Sequence, residues 1–153
     1  MDIADVLSLS DDIEFTIALS DMVCPKAYTL GIDALTEAER VVFLVDETER
    51  ELGNGGFHQF FENLVGDHAS EVVTAFRAIG AHRLAAIVAA AVAVFPDTGP
   101  SPAQPQRWAQ IAAMDDVAKA HWDVLTEAFD RYPDPVTELK RSFVARRRAE
   151  FGS

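Results

Sequence analysis

Residues 36–63 read TEAERVVFLVDETERELGNGGFHQFFEN, and their spacing decides the fold. Thr36 followed three residues later by Glu39 is a capping box: the hydroxyl accepts from the backbone ahead of it and the carboxylate reaches back. Behind it, Val41, Leu44, Val45 and Leu52 fall on one arc of a helix, with Glu39, Asp46 and Glu49 expected on the opposite arc. The pattern stops at Gly53-Asn54-Gly55-Gly56, where glycine reaches left-handed conformations without steric cost. Phe57, Phe60 and Phe61 then recur at i, i+3, i+4, which predicts a short aromatic helix closing near Gly66.

The helical period continues outward in both directions, and no segment sustains the apolar–polar alternation of a half-buried strand. Upstream, Asp11-Asp12-Ile13-Glu14 predicts a helix start, and Ile17, Leu19 and Val23 carry it to an end near Pro25. Downstream, Asp67 is placed to cap a helix with Val72, Val73, Phe76 and Ile79 facing inward, and Gly80 breaks it. Leu84 to Phe95 is an apolar run read as a helix buried on most sides, well short of the roughly 18–20 residues that span a bilayer. Residues 96–105 hold four prolines and a glycine and form the main loop. A helix follows around Trp108 and Ile111. Another opens at Asp115 or Asp116, with Val117, His121, Val124, Leu125, Ala128, Phe129 and Tyr132 at helical spacing. Its apolar face is expected to include His121, and Tyr132-Pro133-Asp134-Pro135 ends it. The last helix carries Leu139, Phe143, Val144 and a basic end. The reading is all-α: one compact domain over 1–153, of about seven or eight helices.

Charge is unevenly distributed along this chain. The 25 acids and 13 bases give −12 on 153 residues. Residues 1–71 carry 16 acids against Lys26, Arg40 and Arg50, a net −13, whereas residues 72–153 carry nine acids and ten bases. The acidic N-terminal half opposes binding to nucleic-acid phosphates or anionic lipid heads and favours basic partners. The C-terminal helix runs the other way, with Lys140, Arg141, Arg146, Arg147 and Arg148, cations that suit its dipole. The candidate partner-binding acids are Asp11, Asp12, Glu14, Asp21, Glu39, Asp46, Glu47, Glu49 and Glu51. Density limits what they can imitate. Residues 33–51 carry seven acids and two bases. Over at most about 28 Å of helix that is roughly one net charge per 6 Å, against about 1.7 Å for duplex DNA. A DNA-like surface therefore needs two or more acidic helices, or two subunits side by side.

Signatures of catalysis are scarce. There is no Walker loop, GxGxxG, GxSxG or HExxH. None of His58, His68, His82 and His121 follows a carboxylate by three or four residues, so the Glu-x-x-His pattern of di-iron bundles is missing. His58 with Glu62 and His68 with Glu71 read as surface pairs. The single cysteine, Cys24, allows no intrachain disulfide or Cys-based zinc site and suits a reducing cytosol, where it reads as a small buried hydrophobe. The acidic start, Met1-Asp2-Ile3-Ala4-Asp5, is unlike a secretory signal. The expectation is a cytoplasmic protein with no catalytic residue, cofactor, metal or membrane contact.

The string Asn54-Gly55-Gly56-Phe57-His58-Gln59-Phe60-Phe61-Glu62-Asn63 resembles the signature of the bacterial DNA-mimic protein nineteen family. Gly66-Asp67 and the Ala78-Ile79-Gly80-Ala81 junction are similar to it as well. The resemblance implies an all-α fold and a dimeric acidic protein that occupies the DNA-binding face of a transcription regulator. The motif residues Asn54, Gly55, Gly56, Phe57, Gln59, Phe60, Phe61 and Asn63 look structural: a tight turn, then aromatics entering the core. Gln59 and Asn63 sit i, i+4 on another face, where their amides could bond the turn backbone or a partner.

The functional expectation is an acidic, non-enzymatic homodimer that sequesters a basic DNA-binding protein such as a helix-turn-helix regulator. An immunity-type protein neutralising a basic nuclease toxin would use the same electrostatics. A helical enzyme or metal protein built on carboxylates and His, and a domain whose acidity serves solubility alone, are the remaining readings.

Overall fold

A computed structural model describes residues 1–152. Its eight α-helices are α1 (Ile3–Ser8), α2 (Asp12–Leu30), α3 (Glu37–Glu62), α4 (Ala69–Ala78), α5 (His82–Val92), α6 (Gln104–Ala112), α7 (Asp116–Asp130) and α8 (Val136–Arg146). Single 3-10 turns lie at Ile32–Ala34, Leu64–His68 and Arg148–Glu150, and there is no strand among the described residues. Among the described residues, no helix is long and apolar enough to cross a membrane.

The longest helix, α3, is central, and α2, α4 and α7 pack on it. Thr36 and Glu39 form the expected capping box. Gly55 and Gly56 leave helical geometry, so α3 is two helices joined at a kink. Phe57, Phe60 and Phe61 are fully buried beyond it, and Phe61 stacks on Trp122 of α7 at 4.9 Å. One continuous core joins these rings to Phe15 and Leu19 of α2, Phe76 of α4, Leu84 of α5 and Phe129 of α7. Helix α4 ends as expected at Gly80, with φ +90°. Ala81 N–H donates to Phe76 O and Gly80 N–H to Arg77 O, a paired closure that satisfies the last carbonyls of α4.

Three expectations require correction, and one helix was not anticipated. Helix α2 does not end at Pro25 but continues to Leu30. Pro25 faces solvent, while Val23, Cys24 and Ala27 are buried and Lys26 bonds Glu39, so packing against α3 holds the last turn despite the lost N–H. The short helix α1 precedes it, opened by an Asp2–Asp5 capping box. Asp67 does not cap α4; it belongs to the 3-10 turn and pairs with Arg107. His121 is exposed on α7 together with Val117 and Val124, because Trp122 and Phe129 define the buried side.

Candidate interaction surface and the glycine kink

The nine candidate acids divide by burial. Asp11, Asp12, Glu14 and Asp21 lie exposed along α2. Asp11 also caps that helix through Glu14 N–H, at 2.9 Å, and Asp12 lies 3.2 Å from Arg141. Glu39 and Asp46, expected on the polar arc of α3, are instead 1% and 7% exposed. Each is neutralised by a lysine from another helix. Lys26 of α2 reaches Glu39 at 2.9 Å, and Lys140 of α8 reaches Asp46 at 2.7 Å and Glu49 at 3.2 Å. Periodicity placed these carboxylates on a solvated face, but α3 is covered on that face too. Burial pushes the Asp46 carboxyl above its ordinary range, with Lys140 pulling the other way. Lys140, itself buried at a desolvation cost, is held above the usual lysine value by Asp46 and Glu49.

Glu47, Glu49 and Glu51 are half-buried and engaged. Glu47 accepts from the Tyr28 hydroxyl and from Arg50. Glu49 accepts from the Tyr132 hydroxyl at 2.8 Å. Glu51 Oε2 accepts from Gln59 Nε2 at 2.7 Å and Asn63 Nδ2 at 2.8 Å. The two amides of the motif therefore clamp a carboxylate that lies before the kink to the end of the helix after it.

The kink's glycines answer to this geometry. A Cβ on Gly55 would stand 2.4 Å from Gln59 Oε1, and one on Gly56, where φ is +67°, would stand 2.9 Å from Thr126 Oγ1. Thr126 of α7 accepts from Phe57 N–H at 3.1 Å, giving the restarted helix the cap its own sequence lacks. Asn54 is exposed at the turn.

The far end of α3 is finished by α6. Gln104 and Trp108 donate to Glu62 O at 2.9 and 2.7 Å, and the fully buried Arg107 donates to Phe61 O and Asn63 O. Arg107 also pairs with Asp67 at 2.8 Å. Gly66 leaves room for it: a Cβ there would lie 2.8 Å from Arg107 Nε. Sequence reasoning missed Arg107, although Gln104, Arg107 and Trp108 share one helix face at i, i+3, i+4. It also missed Asp134, whose carboxylate caps α5 through Leu84 N–H at 2.8 Å from 50 residues away.

The basic C-terminal helix largely turns inward. Lys140 is 1% exposed, Arg141 donates to Leu9 O at 2.6 Å and pairs with Asp12, and Arg147 pairs with Glu37 and Glu150. Arg146 and Arg148 are exposed. Among the described residues, sixteen acids are exposed against six bases. They are not confined to the first half. Helix α7 carries Asp116, Asp123, Glu127 and Asp130 exposed at helical spacing, of which Asp123 faces His58 at 3.5 Å. Beyond its end, Asp134, Glu138 and Asp12 line one depression with Tyr132 and Arg141, which brings the start of α2 beside the α7–α8 turn. Among the described residues no three His, Cys, Asp or Glu side chains converge to hold a metal ion.

No curated protein and no solved structure matches the chain. The model of one family, described as DMP19-like protein, matches residues 33–147, from the 3-10 turn before α3 to the end of α8. Since that match covers well over half the sequence and contains the kink, the amide clamp and the Gly66–Arg107 contact, the chain belongs to the DMP19-like family.

Proposed function

We propose that this protein is a non-enzymatic DNA mimic that sequesters a basic DNA-binding protein, such as a helix-turn-helix transcription regulator, in the cytoplasm. The observation that carries the reading is the set of exposed carboxylates that, among the described residues, pair with no lysine or arginine: Asp123, Glu127 and Asp130 on α7, Glu138 on α8, Glu14 and Asp21 on α2, and Asp11 at its N-cap. Membership of the DMP19-like family supports it. Helix α7 alone has four acids and one lysine over about 22 Å, roughly one net charge per 7 Å. That is several-fold more dilute than a duplex, so the surface works as a composite of α7 with α2 in a homodimer. Arginines and lysines that hold phosphates meet carboxylates instead, with the salt sensitivity such pairs carry.

The test is direct. Tagged protein is incubated with native lysate at low salt, the retained proteins are identified, and a retained regulator is challenged with its labelled DNA. The protein should displace the DNA, less well as salt rises, and a D123N/E127Q/D130N variant should displace it markedly less. Retention of no DNA-binding protein, or displacement unchanged in the triple variant, refutes the reading. Retention of a nuclease toxin, with its activity quenched, would favour the immunity reading instead.

A further inference from the structure

Diffuse surface charge steers an encounter, whereas affinity concentrates in a few desolvated anchors, among which arginine is prominent. A groove of about 390 Å³ lies between the end of α2, the middle of α3 and the 3-10 turn after it, within the range of about 300–1,000 Å³ found for ligand clefts. Its walls are apolar and aromatic. Tyr28 and Phe43 meet edge to face at 5.8 Å, and Leu64, 67% exposed, stands at the rim. Two carboxylates line it, Glu47 and Glu51. Glu47 is occupied by the Tyr28 hydroxyl and Arg50. Glu51 is engaged on one oxygen: both amide donors converge on its Oε2, and among the described residues no hydrogen bond reaches Oε1. Gln59 and Asn63 thus fix the rotamer of a carboxylate and leave one of its oxygens open.

The geometry points to a guanidinium pocket: the groove takes an arginine side chain of the basic partner, its stem along Leu64 and Phe43, its planar fork on Glu51. The chemistry selects this occupant. An anion would meet two carboxylates. A divalent metal would find too few oxygen ligands, since no metal-binding group of three converges among the described residues. A guanidinium combines a fork that matches a carboxylate, a face that stacks on aromatic rings and an apolar stem, whereas an ammonium lacks the first two. The motif of the family thereby gains a role beyond the turn, because Gln59 and Asn63 pre-position the acceptor. This assignment deepens the proposed reading of a basic partner, yet the experiment below needs no partner.

The probe is acetyl-Gly-Arg-Gly-amide titrated into the isotope-labelled full chain, with the citrulline peptide as the neutral isostere and the lysine peptide as the alternative cation. The arginine peptide should shift, saturably, the amide resonances of Tyr28, Leu64, Val65 and His68, and bind about tenfold more tightly than the citrulline peptide, the scale of one lost charge-assisted contact. E51Q keeps one acceptor oxygen for both amides while removing the charge, and should weaken binding by a similar factor. L64W blocks the rim from an exposed position and should do the same without touching Glu51. D97N, in the proline loop and outside the groove's lining, should leave binding unchanged. Equal binding of the arginine and citrulline peptides, equal binding of the lysine peptide, shifts scattered over α2 and α7, or full binding by L64W would each overturn the assignment. Saturable arginine binding in a protein that captures no DNA-binding protein would leave the pocket standing and sink the mimic.

Discussion

Replacing Lys140 by Met removes one partner from a buried ion pair and leaves its carboxylate behind. Lys140 and Asp46 are 1% and 7% exposed, and they join α8 to α3 across 94 residues of sequence. Asp46 cannot keep a bare charge there, so in K140M it takes a proton. For a carboxyl with an ordinary pKa of 3.8, holding that proton at pH 7 costs about 4 kcal/mol, at about 1.4 kcal/mol per unit of pH. This is the ceiling on the Asp46 share of the penalty, and it agrees with the loss of about 3–5 kcal/mol when one member of a buried pair is deleted. The sign with pH follows. The folded K140M chain binds a proton that the unfolded chain releases above its ordinary pKa, so the penalty grows as pH rises and shrinks to about 2 kcal/mol at pH 5. Urea unfolding followed by tryptophan fluorescence at both pH values measures it. A penalty equal at pH 5 and pH 7 would show that Lys140 contributes packing rather than charge. A penalty under about 1 kcal/mol at pH 7 would refute the ion-pair account outright. The double variant D46L/K140M, which removes both charges, should recover most of the loss, since apolar replacement of a buried pair is often neutral or better.

Gly66→Ala should destabilise by about 2–3 kcal/mol, because its Cβ would crowd the Arg107 guanidinium and the carbonyls of Phe60 and Phe61 at 3.0 Å or less. Gly53→Ala is the contrast: it lies in the helix with nothing within 4 Å of a Cβ, and should raise stability by about 0.5–1 kcal/mol. Thermal melts of the two variants decide both. Thr126→Val strips the acceptor from Phe57 N–H and should cost about 1–3 kcal/mol in urea unfolding. Arg40 bonds Glu71 and holds its carboxyl below the ordinary 4.5, so its stabilisation is present above that value and is lost as pH falls through the lower folded pKa. E71Q should accordingly lose less stability than the parent on acidification from pH 5 to pH 3, as unfolding by circular dichroism would show. Burial, then Glu47, pushes the Tyr28 hydroxyl up to about 12, so ultraviolet titration should show it ionising late, and earlier in E47Q.

Local signals proved legible where a structural cause lies within a few residues. Thr36 and Glu39 cap α3, Asp115 caps α7 through Ala118 N–H, Gly80 takes positive φ, and Phe57, Phe60 and Phe61 enter the core. What escaped is settled by contacts made far along the chain. Pro25 reads as a stop, yet Lys26 finds Glu39 on another helix and the turn persists. Leu84 N–H waits for Asp134, and the carbonyls ending α3 wait for Arg107. Glu39 and Asp46 are the clearest cases. Their positions on α3 have the period of a solvated face, and only the arrival of α2 and α8 with one lysine each makes that face interior.

The same arrivals change what the charge imbalance along the chain means. A count by position puts −13 on residues 1–71, but four bases of the second half are spent on acids of the first: Arg107 on Asp67, Lys140 on Asp46 and Glu49, Arg141 on Asp12, and Arg147 on Glu37. Several of the candidate acids are thereby internal cement, while the second half, nearly neutral by count, is left with the uncompensated carboxylates of α7. A surface that imitates DNA has to be judged by the carboxylates that remain after folding has paired the rest. By that standard α7 has as strong a claim as α2. Substituting Asp123, Glu127 and Asp130 should therefore weaken partner binding more than substituting Glu39 and Asp46, whose loss acts first on stability.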